Sequence, residues 1–518
     1  MPQNTRRDFL KSMSAFAASA VTSAIFTQCQ SNHFNNGEPL RNILFIISDD
    51  HSAEVVGCYG NSLIRTPHLD QLAAEGVSFT RAFSNAPVCS ASRQSILTGK
   101  YPHASGVTLL RTSFPEEQYT IAEHLQANGF KTGVVGKTHF NNNLPHGFEV
   151  RIDTKEYREF LQANPPRIPP ETIKTRPQWR PFRDPARIWL NAEMLPSNHY
   201  QADELGTFLV HQAIDFINQN QNDRFCLWVG LHEPHSPFNF PIEYAGKYNP
   251  ADMPLPTGSP EDDRWIPQIF KDLTEVDKRG IIAAYYTSVE YLDHNIGLIL
   301  NELKRLKLDE NTLVIYVSDH SYLLGQHKRF EKHTLWDEAL RVPLMIRAGQ
   351  QFGSGRKIDN ITELVDLAPT ILEILGIEPM PEFQGKSLVP VLAEKTSLHK
   401  SQIFSEFLCD NKAMIRTPDW KYIFTSGKRD LGQGYATGYP PPGITHRLYD
   451  LKNDPRETTN LAGDPQFQTV LTQLQQQLLA WFQTTHPKRG QLPSGLSIEA
   501  TLSWFCEPPD ENPDLQAK

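Results

Sequence analysis

Four short apolar runs, each ending directly in charged or imidazole side chains, restrict this chain more than any bulk property does. The runs are Asn42–Ser48 (NILFIIS), 132–136 (TGVVG), 225–231 (FCLWVGL) and Thr312–Ser318 (TLVIYVS). Unbroken apolar stretches of this length read as strands buried on both faces. Helical patterns lie between them, at 121–128, 203–218 and 281–306. In the second, Leu205, Phe208, Leu209, Ala213, Phe216 and Ile217 form one stripe. Strands alternating with helices predict an α/β fold, a large mainly parallel sheet with helices on both faces.

The residues just beyond each run are more informative still. The first run leads into Asp49-Asp50, the second into Lys137-Thr138-His139, the third into His232-Glu233-Pro234-His235 and the fourth into Asp319-His320. Open α/β sheets bind ligands beyond the carboxyl ends of their strands, so these ends predict one common site. Each residue has a local alternative: Asp50 could cap a helix, and His232 could be a packed histidine. Asp49, Asp50 and Asp319 form an oxygen-rich set suited to a hard cation such as Ca²⁺ or Mg²⁺. Without a cation, neighbouring buried carboxylates repel and one is driven to protonate. His320 fits less well, because imidazole suits softer metals. Cys89 adds a nucleophile. Pro87 ends an extended stretch and 90–97 can start a helix, which places Cys89 where backbone N–H groups favour negative charge. Arg93 lies one turn on, on the same side. A cysteine-protease reading needs a histidine base and an orienting Asn or Asp, and leaves the carboxylates and lysines unexplained.

The formal charge of -9 over 518 residues carries no nucleic-acid footprint, and no internal apolar run is long enough for an ordinary membrane span. The six cysteines (Cys29, Cys58, Cys89, Cys226, Cys409, Cys506) are scattered without a CxxC pair, which argues against a zinc framework or a disulfide scaffold; a Cys58–Cys89 bridge stays open. Residues 1–30 resemble a twin-arginine export signal: Thr5-Arg6-Arg7-Asp8-Phe9-Leu10-Lys11, then a weakly apolar Ala/Ser-rich stretch. The alternative is an amphipathic helix. The signal predicts the twin-arginine machinery as a partner, delivery to the periplasm or cell exterior, and cleavage after Ala20 or Ala24. Lipid attachment at Cys29 is the lesser alternative, since Thr27 and Gln28 fit a lipobox poorly. A catalytic unit is expected over 40–379. Beyond a connector at 379–390, strand-like runs at 403–424, a Gly/Pro/Tyr-rich loop at 427–443 and an amphipathic helix at 467–482 predict a smaller unit over 380–486, followed by an extended tail over 487–518.

Cys89-Ser90-Ala91-Ser92-Arg93, followed by Leu97-Thr98-Gly99-Lys100-Tyr101-Pro102, resembles the signature of the type I sulfatases. Other segments match that family in order: Ser48-Asp49-Asp50 with Gly57-Cys58-Tyr59-Gly60, Gly136-Lys137-Thr138-His139, His235-Ser236-Pro237-Phe238, Ser318-Asp319-His320, Lys332, Arg341-Val342-Pro343, and Leu448-Tyr449-Asp450-Leu451 with Asp454-Pro455. The resemblance implies an alkaline-phosphatase-like fold with a C-terminal α+β subdomain carrying an antiparallel sheet. It implies oxidation of Cys89 to formylglycine by a maturation enzyme. It implies a Ca²⁺ site, with Mg²⁺ the lesser alternative, built from Asp49, Asp50, position 89, Asp319 and His320. It assigns Lys137 and Lys332 to the sulfate charge, His139 to the base, His235 to the general acid, and Arg93 and Lys100 to support of position 89. For Lys332 the alternative is a solvated helix charge. Ala91 stands where proline is commoner, Thr138 where tryptophan is usual and Ser321 where glycine is usual; Ala91 leaves open which maturation enzyme accepts the chain.

For the substrate, a basic insertion (Arg167, Lys174, Arg176, Arg180, Arg183, Arg187) suggests a lip for a sulfated glycan, or simply a solvated loop. Two rivals stand beside a sulfatase acting on a sulfated carbohydrate: a phosphonate monoester or phosphodiester hydrolase of the same superfamily, and a catalytically silent glycan-binding protein of the same fold.

Overall fold

The first apolar run becomes β1 (Asn42–Ser48), the middle of a nine-stranded sheet, and every residue of it is buried. The other strands of this sheet are β2 (Val77–Phe83), β3 (Lys131–Gly136), β4 (Val150–Ile152), β5 (Phe225–Gly230), β6 (Thr312–Ser318), β7 (Arg341–Ala348), β8 (Arg356–Ile358) and β9 (Thr362–Glu363). Their order is β4-β3-β5-β1-β6-β7-β2-β8, with β9 also on β2. β4, β3, β5, β1 and β6 run parallel, whereas β7 is antiparallel to both β6 and β2. The computed structural model describes residues 40–510 except 179, 181–183, 265, 381 and 428–442. The export segment, Cys29, Arg183, most of the 427–443 loop and the end of the tail therefore lie outside the described residues.

Alternation along β1 shows why the run had to be apolar throughout. Ile43, Phe45 and Ile47 enter one core, and Leu44 and Ile46 the other. Phe45 stacks on Trp228 at 3.8 Å between ring centroids, and burying such a ring is worth about 1.5–3 kcal/mol. The first core packs on α1 (Cys89–Thr98) through Ile96 and Leu97; the second packs on α2 (Leu205–Gln219) and α3 (Glu275–Arg305). α3 starts six residues before the expected 281, because Thr274 and Asp277 form a capping box there.

Two glycines bring the strand ends together. A Cβ on Gly136 would lie 2.1 Å from the Gly230 carbonyl oxygen, and one on Gly230 would lie 2.2 Å from that of Lys137. Only bare backbones allow β3 and β5 to end this close, and the chain beyond them supplies Lys137 and His232.

The smaller unit is an antiparallel sheet, β10 (Ile403–Phe407), β11 (Lys412–Arg416), β12 (Trp420–Thr425) and β13 (Thr445–Asp450), as expected. α4 (Gln468–Thr485) covers it through Leu471, Leu474, Leu478 and Phe482. The tail is not extended. Ser497 caps α5 (Ile498–Phe505), and Leu502 and Phe505 are buried in the same core. Among the described residues no helix is long and apolar enough to cross a membrane.

Candidate active site

The four strand ends converge on Cys89. Asp49 and Asp50 follow β1, Asp319 and His320 follow β6, and all four are fully buried. Cys89 is the first residue of α1 and is 1% exposed. Its sulfur lies 3.3 Å from Asp49 Oδ1, 3.2 Å from His320 Nε2 and 3.3 Å from Lys332 Nζ. Lys332 Nζ also donates to Asp50 Oδ1 at 2.8 Å, and Lys137 Nζ pairs with Asp49 Oδ2. Lys332 is thus an interior cation rather than a solvated helix charge.

These contacts set the protonation of the group. Burial favours a neutral thiol, but Lys137, Lys332 and His320 outweigh it and hold Cys89 well below its ordinary range. Burial would likewise discharge Lys332, yet Asp50 and Cys89 hold its pKa well above the usual value. His320 is pushed up to about 9 against burial by Asp319 and Cys89. His139 goes the other way, down to about 4, through burial and the neighbouring Lys137 charge. It is therefore neutral near pH 7, with a ring nitrogen free to accept a proton. His232 is a packed neutral histidine, lowered to about 3 by burial and Lys137. His235 is the partly open one: its side chain is 25% exposed, and its Nε2 lies 3.9 Å from Asp50 Oδ2.

Arg93 acts as the brace. Its Nε donates to Asp319 Oδ2 at 2.8 Å, and its terminal nitrogens donate to the carbonyls of Lys137 (2.9 Å) and Ser48 (3.2 Å). One side chain on α1 therefore pins three strand ends. Gln94, next in the helix and not singled out from sequence, donates to the carbonyls of Thr138 (3.2 Å) and His139 (2.9 Å). Its adjacency to Arg93 was the one available signal. Tyr285 was also missed; from α3 its hydroxyl donates to the Asp50 carbonyl, which leaves no trace in local sequence.

One expected assignment changes. Lys100 turns away from Cys89, donating to Gln118 Oε1 at 3.2 Å and pairing with Glu382. Asp319 sits beside the potential cation ligands: ligand atoms of Asp49, Asp50, Cys89 and His320 lie within 4.8 Å of one another, Asp319 Oδ1 lies 3.8 Å from His320 Nε2, and Asp319 Oδ2 is engaged by Arg93. Cys58 and Cys89 are both free, so there is no bridge between them. The insertion is not a bare basic lip either. Lys174 pairs with Glu193, Arg180 with Asp184 (2.7 Å) and Arg187 with Glu193 (3.7 Å).

The donor set fits a small hard cation. Asp49 and Asp50 are buried carboxylates side by side, and Asp50 Oδ2 has no hydrogen-bond partner. The Lys332 ammonium, bridging Asp50 and Cys89, marks where positive charge is needed. The sulfur of Cys89 is the one soft donor; an oxygen at position 89 would make the set uniformly hard apart from His320.

Comparison with known proteins agrees with this geometry. The sulfatase family model matches residues 41–377, and the model described as N-sulphoglucosamine sulphohydrolase, C-terminal, matches 325–484. The chain belongs to the sulfatase family, the sulfuric ester hydrolases of the alkaline-phosphatase-like superfamily. It is 26% identical to an N-acetylglucosamine-6-O-sulfatase of Bacteroides thetaiotaomicron, covering 84% of this chain and 85% of that one. It is 28% identical to an arylsulfatase of Clostridium perfringens, covering 85% and 93%. Among solved structures it resembles a phosphonate monoester hydrolase of Agrobacterium radiobacter (TM-score 0.72, 23% identity, 85% of this chain and 95% of that one). It also resembles a protein solved in complex with its substrate D-glucosamine-2-N,6-O-disulfate (TM-score 0.68, 23% identity, 86% and 98%). At those identities the two structures speak for the fold alone.

Proposed function

We propose that this chain is an exported sulfatase that releases inorganic sulfate from a sulfated carbohydrate. The observation that carries the reading is the ring of Lys137, Lys332, His320 and Asp49 around Cys89 at a helix N-terminus. The carbohydrate rests on relatives, among them the N-acetylglucosamine-6-O-sulfatase and an ulvan-active sulfatase of Formosa agariphila, 28% identical over 85% of this chain and 81% of that one. Export rests on the Arg6-Arg7 segment, with the periplasm or cell exterior as destination.

When present, formylglycine at position 89 supplies an oxygen nucleophile through its hydrated aldehyde, and Ca²⁺ (Mg²⁺ less favoured) supplies Lewis-acid polarisation of the sulfate oxygens. Asp49, Asp50 and His320 would hold the cation, with Asp319 Oδ1, which Arg93 does not engage, beside them. Lys137 and Lys332 neutralise charge on the transferring sulfuryl group. His139 takes a proton from the side chain at 89. His235, at the open side, gives a proton to the departing sugar oxygen, a contribution typically worth about 10²–10⁴-fold. Arg93 and Gln94 hold the backbone carbonyls of these loops fixed and leave the donors aimed at one point.

The test is a screen of sulfated mono- and disaccharides for sulfate release, beside a phosphodiester and a phosphonate monoester, with peptide mass spectrometry at position 89. Sulfate release by protein carrying the aldehyde is expected. A large preference for the phosphorus esters, or an unmodified thiol in exported protein that is inert to every sulfate ester, would sink the proposal.

A further inference from the structure

A cavity of about 600 Å³ opens beyond the turn that carries Asp50, and it shares no lining residue with the Cys89 cluster. That volume lies within the range of about 300–1,000 Å³ typical of small-molecule sites. Ser52 at its edge is linked to the catalytic turn: its N–H donates to Tyr285 Oη at 2.8 Å, and Tyr285 donates to the Asp50 carbonyl. The remaining walls come from distant parts of the chain, with Pro254 to Thr257 on one side, Ile282 and Tyr286 of α3 on another, and Arg456 and Thr458 of the C-terminal unit on a third.

The charges in this cavity are matched. Arg456 donates to Glu54 Oε1 at 2.6 Å and to Glu338 Oε1 at 3.3 Å, and Arg341 donates to Glu54 Oε1 at 3.3 Å. His327 Nδ1 meets Asp262 Oδ1 at 2.9 Å, and its Nε2 lies 3.8 Å from Glu338 Oε2. Burial would discharge His327, but Asp262 and Glu338 raise its pKa to about 9. The carboxylates of Glu54, Asp262 and Glu338 are thus balanced by Arg341, Arg456 and His327. An anion would have to displace Glu54 from both arginines. A cation would meet Arg456. Neither charge is favoured, in contrast to the Cys89 cluster.

One group suited to an uncharged polar ligand remains. Glu338 is 5% exposed, lines the cavity, and its Oε2 has no hydrogen-bond partner; a hydroxyl would satisfy it. Pro254, Leu255, Pro256 and the Tyr286 ring supply apolar faces, and the amides of Asn61 and Gln326 are engaged within the wall itself. Alternating apolar C–H faces and hydroxyls are the chemistry of a sugar ring.

We propose that this cavity binds an unsulfated mono- or disaccharide, separately from the ester bound at Cys89. The test uses calorimetry and saturation-transfer NMR with lactose, cellobiose and N,N′-diacetylchitobiose on the full chain. It compares the unaltered protein with Cys89→Ala and with Thr257→Trp and Leu255→Trp, each of which fills the cavity from its rim. At least one saccharide is expected to bind the unaltered protein and Cys89→Ala equally, and about tenfold or more weakly to the folded rim variants. Absence of binding by all three saccharides, loss of binding in Cys89→Ala, or undiminished binding in both rim variants would overturn it. The readout is binding rather than turnover, so failure of the sulfatase reading would leave this result standing, and the reverse.

Discussion

Two buried charge clusters in this molecule look alike in composition and differ in what they leave unfinished. Around Glu363 and Asp366, every carboxylate oxygen is claimed. Asp366 accepts from the Lys386 N–H (2.7 Å), Lys400 (2.6 Å), the Glu363 N–H (3.1 Å) and His399 (2.8 Å). Glu363 accepts from Asn85 (3.1 Å), the Phe404 N–H (2.9 Å), Tyr101 (3.1 Å) and Lys400. Around Cys89, by contrast, Asp50 Oδ2 has no hydrogen-bond partner, His139 Nδ1 has none either, and His235 opens to solvent. The first cluster is closed and joins the two sheets. The second is held by its own opposing charges and leaves acceptors unpaired. Buried charge alone therefore does not mark function; at Cys89 it comes with unsatisfied acceptors beside an opening to solvent.

The comparison can be broken by substitution, beginning where the effect is largest. Cys89→Ala should cost on the order of 10⁴-fold in kcat/KM with little change in melting temperature; retained turnover of a sulfate ester would remove Cys89 from the chemistry. Lys400→Met should do the opposite, lowering stability by about 3–5 kcal/mol in denaturant titrations because it strands Glu363 and Asp366, while turnover per folded molecule holds. His235→Ala should reduce kcat by about 10²-fold, less so for substrates with good leaving groups; an equal loss for all leaving groups would deny it the general-acid role. The smallest effect is a pH dependence. The folded pKa of His327 is raised to about 9, so the stability it contributes is complete below its unfolded value near 6.5 and is lost as pH rises through about 9. Between about pH 6.5 and 8 this amounts to on the order of 1 kcal/mol, and denaturant titrations of His327→Gln should lack that slope.

Much of this was legible in the sequence because a strand buried on both faces leaves little freedom of composition. Asn42–Ser48 and Thr312–Ser318 could hardly be anything else, and the polar residues that stop them had to emerge at one end of the sheet. Partner choice was not legible. Nothing local tells Arg93 to engage Asp319, or Lys100 to turn towards Glu382, since both depend on loops that meet only after folding. The basic insertion was ambiguous for the same reason: its cations can be counted, but that Glu193 and Asp184 pair with Lys174, Arg180 and Arg187 appears only in three dimensions. The helix Ile498–Phe505 was missed although Ser497 is a good cap, because prolines on either side at 493 and at 508–509 read as an unstructured stretch.

The touching ends of β3 and β5 have a consequence for the history of this chain. At Gly136 the obstacle to any side chain is the backbone oxygen of Gly230, and at Gly230 it is the backbone oxygen of Lys137. Neither obstacle can be trimmed by a second mutation, because a peptide carbonyl belongs to every residue. No compensating change at the partner position opens a neutral path away from either glycine, so descendants of this sequence that keep both strand ends in use inherit both glycines as a fixed pair.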